Sequence, residues 1–410
     1  MIALSARSTL PTPATPELPE TVMKIATLPS LTRPLLRLAP AAMAALAMMA
    51  APAQAAPQSK PDQVFRVNPR TNKASTVTGT VTEDGLDNVK VTRRDGREIS
   101  IKSAEVIQIA WGSGSSAFSD GGTYAGRGAW EEAVQSFQEA AGDSAARDPL
   151  RAEARLQAAT SLMALAATDM TRFGDVASEC DRFATDFPSA RQLPKVLALK
   201  SRAQWLNGDA AAARDGYRAL YETGSGGTEG YPPLATADAA LQAAYAAIGA
   251  GDNVGARELF DLAAAAFGAV ESENAAVAAS AAAGAEVASM GEAITKAADG
   301  DAKSVRRTFE SALKSSETSA GMAVAHLGLG QAWLAEGDAR KAQFEFAWVA
   351  GLDHTSADRR AEALVGLAEA AIAAGEPGDA NAAKTALRSV ASQYGATPSA
   401  RKAAQLLESL

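Results

Sequence analysis

A chain of 410 residues is too long for one compact domain, and a hydrophobic content of 47% excludes disorder by composition. Aromatic residues make up only 5%, so a core must be built largely from alanine at close helix contacts. The net charge of −8 excludes the basic footprint of a nucleic-acid binder, and two histidines with one cysteine exclude a disulfide framework and leave little with which to hold zinc.

Residues 1–55 read as a secretion leader whose true start is Met23. Lys24, Arg33 and Arg37 form a basic region, Leu38 to Ala51 an apolar stretch of small residues, and Ala53-Gln54-Ala55 a small-x-small cleavage signal. The apolar run of about 14 residues is short of the ~20 needed to cross a hydrocarbon core. Cleavage after Ala55 would release an acidic, exported chain without a stable membrane span; retention as an N-terminal anchor is the other outcome of the same pattern.

Residues 56–75 are polar and contain proline, and read as a disordered linker. From 76 to 111 the texture is strand-like. Thr76 to Thr82 alternates, Asp84-Gly85 marks a turn, Val89 to Thr92 alternates again, and Arg93 to Gly96 forms a second turn. Glu98 to Lys102 and Val106 to Trp111 complete a four-stranded meander or small open barrel. The pattern resembles small β modules of the Sm-like or SH3-like kind. That resemblance implies either a packing module for the helices C-terminal to it or a ligand-binding one.

After a short Gly/Ser linker at 112–117, one template recurs: a turn glycine, a small residue five later, an aromatic four after that, and an apolar residue three further on. It runs Gly128, Ala133, Phe137, Ala140, then Gly208, Ala213, Tyr217, Leu220, and Gly251, Ala256, Phe260, Ala263. Further copies are Gly300, Val305, Phe309, Ala312 and Gly337, Ala342, Phe346, Val349, with a weaker one at Gly375, Ala380, Lys384, Leu387. A copy without glycine stands at Thr171, Val176, Cys180, Phe183. These residues resemble the tetratricopeptide repeat, TPR, over residues 118–396. Spacings of 37 to 49 residues between turns exceed the ~34 of that family, which implies longer loops. The fold class expected is therefore mainly α: a TPR-like α-solenoid of about seven helix–turn–helix repeats, preceded by the small β module and closed by a capping helix at 397–410. The Phe187-Pro188-Ser189 ending is similar to repeats of exported cell-envelope scaffolds.

Candidate chemistry is sparse. His326 lies among apolar residues of a first helix and His354 in a loop, and neither has a nucleophile or metal-ligand spacing beside it. Cys180 occupies an aromatic slot and reads as a small buried hydrophobe. Ser311 and Lys314 have the Ser-x-x-Lys spacing without the rest of that signature, and Gly328-Leu329-Gly330 falls inside a helix rather than in a phosphate loop. Catalytic, metal and cofactor sites are thus expected to be absent.

The resemblance to TPR proteins implies a concave groove lined by first helices. Counting back from each turn places Lys195 and Arg202 there, near Trp205, then Asp238, Gln242 and Tyr245, then Val324, Leu327 and Gln331, and last Glu362 and Glu369. The function implied is a non-enzymatic exported scaffold or adaptor whose partner is another periplasmic or envelope protein, presented as an extended peptide or helix. The alternative is an accessory subunit of an envelope assembly or cell-wall machine whose β module contacts glycan or lipid headgroups. Nucleic acid is not an expected partner, and self-association stays open.

Overall fold

The computed structural model describes residues 60–68, 73–112 and 114–410, and the leader read at 1–55 lies outside them. The described chain opens with an antiparallel sheet of five strands: β1 (Asp62–Asn68), β2 (Lys73–Asp84), β3 (Asn88–Thr92), β4 (Glu98–Lys102) and β5 (Val106–Ala110), in the order β4-β3-β2-β1-β5. The sequence reading anticipated four. The additional strand, β1, falls in the segment taken for a linker, yet it lies between β2 and β5. Its flanking prolines and polar residues hide it, because only Val64 along it is fully buried among apolar side chains. Val77, Val81, Val89, Val91 and Ile101 complete the module's interior.

Two buried carboxylates fasten this module to the helices. Asp62 accepts from the backbone of Val81 at 2.8 Å and Gly112 at 2.9 Å, and from the Arg147 guanidinium at 2.7 and 3.2 Å. Asp84 accepts from Arg191 at 2.6 and 3.1 Å and from Gln192 at 2.8 Å. Between them the β2–β3 turn adds backbone pairing to the chain: Leu86 N–H donates to Ser189 at 2.9 Å, and Arg191 N–H to Asp84 at 3.0 Å. A buried carboxylate is tolerable only with such partners, so the module and the helices stand as one packed body.

The helices form hairpins. They are α1 (Ser116–Gly126) with α2 (Trp130–Gly142), α3 (Asp148–Ala166) with α4 (Phe173–Asp186), α5 (Leu193–Leu206) with α6 (Ala210–Ser225), and α7 (Pro233–Gly249) with α8 (Asn253–Gly268). Then come α9 (Ala275–Ser289) and α10 (Gly291–Ala298) with α11 (Ala302–Ser315), α12 (Ser319–Glu336) with α13 (Ala339–Leu352), α14 (Ala357–Ala374) with α15 (Asp379–Gln393), and finally α16 (Ser399–Ser409). The widest template spacing, from Gly251 to Gly300, arises because the first helix of that hairpin is broken into α9 and α10 at Met290.

Glycine and aspartate punctuate the hairpins for separate reasons. Gly208, Gly251 and Gly337 sit at φ of +97°, +78° and +87°, a backbone region that costs other residues. The aspartates that follow them, Asp209, Asp252 and Asp338, accept the free N–H groups of Ala212, Gly255 and Lys341. At the final hairpin the template is displaced. Pro377 prolongs the turn, so burial counts from Gly378 (φ +96°) rather than Gly375, and Ala383, Leu387 and Val390 take the slots that the sequence reading gave to Ala380, Lys384 and Leu387.

The template aromatics Phe137, Tyr217, Phe260, Phe309 and Phe346 are all buried. The four phenylalanine rings lie on glycines of first helices: a Cβ on Gly328 would come within 2.4 Å of the Phe309 ring, and one on Gly330 within 2.6 Å of Phe346, while Gly121 and Gly291 meet Phe137 and Phe260 in the same way. Two glycines two residues apart point to different sides of α12, so each admits a ring from a different second helix. Burial of each ring stabilises by roughly 1.5–3 kcal/mol.

The last segment does more than cap the array. α16 packs on α14 and α15, and the loop before it reaches back to the second and third hairpins. Gly395 is so close to α3 that a Cβ there would lie 1.8 Å from the Ala167 carbonyl oxygen. Arg401 donates to the Leu206 carbonyl at 3.0 Å, and Arg202 donates to Asp358 at 2.5 Å and to the Ala396 carbonyl at 2.9 Å. The row of hairpins therefore returns on itself, where the sequence reading gave the last segment only a capping role.

Candidate functional site

The faces turned inward by this closure enclose a cavity of about 710 Å³. Its wall is built from α5, α7, α9, α10, α12 and α14, with the 395–402 segment on the side where the chain returns. The volume falls within the range of small-molecule sites.

Of the residues counted into the groove, Trp205, Asp238, Gln242, Tyr245, Val324, Leu327, Gln331 and Glu362 line the cavity together. Three others lie elsewhere. Arg202 is spent on Asp358 and the Ala396 carbonyl, holding the closure. Glu369 pairs with Lys402 at 2.7 Å. Lys195 lines a separate cleft of about 460 Å³ beside the β module, with Arg191, Tyr217 and Tyr231. Counting back from a turn identifies the inward face of each helix, but not which inward residues the returning chain covers.

Charge on the wall is unevenly satisfied. Arg359 is held by Asp353 at 2.7 Å, Lys402 by Glu369, and Asp358 by Arg202. Among the described residues, no cation is bound to Asp238 or Glu362. Asp238 takes a hydrogen bond at 3.4 Å from the Gln242 amide, and Glu362 takes one at 3.1 Å from the Gln331 amide. Each contact uses one carboxylate oxygen. Both carboxylates are exposed to solvent, and partial desolvation by the surrounding wall raises both pKa values above the usual carboxylate range. Tyr245, set edge-on to Phe260 with ring centroids 5.3 Å apart, has its phenol pKa raised by burial.

Several wall residues escaped the sequence reading. Asp358, Arg359, Arg401 and Lys402 reach the cavity because the end of the chain folds back across it. No local signal marks them, since the contacts that bring Arg202 to Asp358 and Arg401 to Leu206 span more than a third of the sequence.

The other chemistry-bearing residues are engaged elsewhere. His326 Nδ1 is 2.6 Å from Glu345, and its ring stacks on Trp348 with centroids 4.1 Å apart. Cys180 is fully buried, which pushes its thiol up to about 12 and leaves it unreactive near neutral pH. His354 is exposed in the loop before α14. Among the described residues no group of three His, Cys, Asp or Glu side chains is placed to hold a metal ion, and no helix is long and apolar enough to cross a membrane.

No protein-family model and no curated protein matches the sequence. Among solved structures the chain is similar to a tetratricopeptide repeat protein from Parabacteroides merdae ATCC 43184, at 12% identity and a TM-score of 0.47, over 72% of this chain and 96% of that one.

Proposed function

We propose that the protein is an exported, non-enzymatic TPR-like adaptor, working in the periplasm or cell envelope, that holds part of a partner protein against its inward-facing helices. The repeat template and the leader pattern support the class and the address. The observation that carries the reading is the convergence of Trp205, Gln242, Tyr245 and Gln331, from three separate hairpins, on one cavity. Aromatic and amide side chains on rigid helices suit recognition by packing and a few hydrogen bonds. The β module, clamped through Asp62 and Asp84, extends the same body and is read as an adjunct to that contact.

Affinity capture from an extracytoplasmic extract tests this, comparing the wild type with Gln242→Trp, which fills part of the cavity without removing a buried packing contact. A protein retained by the wild type and lost with Gln242→Trp is the expected result. Equal retention by both, or none by either, overturns the assignment of the cavity as the partner site. Arg202→Ala is unsuited to this comparison because it also releases the closure.

A further inference from the structure

We infer that the outer face of α13 is the contact through which two copies of this chain pair about a two-fold axis, the helix of one lying antiparallel on the same helix of the other.

α13 is apolar on two opposite sides. Ala342, Phe346 and Val349 are buried in the core. On the other side, Phe344 is followed three, four, seven and eight residues later by Ala347, Trp348, Gly351 and Leu352, the spacing of one continuous helical stripe. Phe344 is 69% exposed and Leu352 59%, and Ala347 and Gly351 are exposed between them. A helix that is apolar all round is one covered on both sides. α8 supplies the contrast. It carries exposed Val254 and Leu262 at the same separation, but Arg257, Glu258 and Asp261 stand exposed between them, and water solvates that face.

Trp348, in the middle of the stripe, is fixed in advance. Its ring stacks on His326 with centroids 4.1 Å apart, and His326 Nδ1 is in turn 2.6 Å from Glu345 of α13 itself. An aromatic side chain held in place before it is covered loses little rotamer freedom on contact, which suits the centre of an interface.

The order of large and small residues along the stripe points to a second copy as the occupant. With a two-fold axis passing between Ala347 and Trp348, antiparallel helices bring Phe344 against Gly351 of the partner subunit and Trp348 against Ala347 of the partner subunit. Each ring meets a small residue, and symmetry supplies the reciprocal pair. Charge agrees with this direction. Arg340 and Lys341, at the amino end of the helix, come beside the carboxyl end of the other helix, where the backbone dipole is negative. Parallel pairing would instead set the cations of the two copies side by side.

Sedimentation equilibrium of the purified protein over roughly 1 to 500 μM, the range in which a contact of a few helical turns assembles, should show a monomer–dimer transition. Phe344→Glu changes a side chain that is already exposed. It should weaken the dimer at least about tenfold while circular dichroism and melting temperature stay those of the wild type. Ala347→Cys, beside the axis, should cross-link into a covalent dimer on mild oxidation, whereas Asn381→Cys on the exposed face of α15 should not. Cys180, being buried, stays out of that reaction. A protein that stays monomeric throughout overturns the inference and leaves the stripe to a helix of a different protein. A dimer that Phe344→Glu does not weaken, or cross-linking no greater at position 347 than at 381, also overturns it.

Discussion

Partial desolvation by the cavity wall raises the pKa values of the exposed carboxyls of Asp238 and Glu362, and the sign of its effect on stability comes from linkage. A carboxyl whose folded pKa lies above its unfolded value binds its proton more tightly in the folded chain. Its favourable contribution is complete below the unfolded pKa and is lost as pH rises through the folded one. Glu362→Gln and Asp238→Asn should therefore match the wild type in urea midpoint at pH 4 and exceed it at pH 7.5. A wild type that stays level with both variants across that range would show the carboxylates to be solvated like surface groups. Cys180 and His326 show the opposite use of burial. One is sealed and inert, and the other is tied to Glu345 and Trp348.

A hairpin in this protein is held by rings seated on glycine. Gly328 admits Phe309 so closely that a methyl group cannot enter without displacing the ring, and Gly330 and Gly366 flank Phe346 in the same way. Gly328→Ala should cost about 1–3 kcal/mol from overpacking, measured by chemical denaturation. Combining it with Phe309→Leu should cost less than the two single changes added together, because the smaller side chain makes room for the methyl group. Much of this was legible before the fold: the positions of Phe137, Phe260, Phe309 and Phe346 after their turn glycines can be read from spacing alone. Two elements were not. β1 carries one fully buried apolar residue and is set between prolines, so its strand period is invisible until β2 and β5 pair with it. At the last hairpin Pro377 moves the register by three residues, and only the burial of Ala383 and Leu387 reveals the move.

For the molecule as a whole, closure is the feature that matters most to the site. In a row of hairpins each unit contacts chiefly its neighbours, so stability is largely a sum of local terms. Arg202, Gly395 and Arg401 add contacts of another kind, joining the end of the chain to the second and third hairpins. Arg202→Ala with Asp358→Ala should leave the global unfolding transition nearly unchanged while accelerating amide exchange across 394–409 about tenfold, for a local loss of about 1–2 kcal/mol. Small-angle scattering should register an increase in radius of gyration. Exchange protected as in the wild type would place the closing energy in the apolar packing of Ala396 against α3 to α5 instead.

Helix class, hairpin count, the turn positions before the last hairpin and the template aromatics were determined by the sequence itself, because each depends on residues within one or two turns of each other: a glycine free to take positive φ, an aspartate cap beside it, a ring at helical spacing. The eight inward residues from Trp205 to Glu362 were legible for the same reason, as a face of each helix. Tertiary structure alone decided that the groove is closed, that Arg202 and Glu369 serve ion pairs rather than a ligand, and that Asp238 and Glu362 are left without a cation. Those outcomes depend on which charges meet when residues some 150 positions apart are brought together. No periodicity carries that information, because the pairing of charges is set by the path of the chain and not by its local pattern.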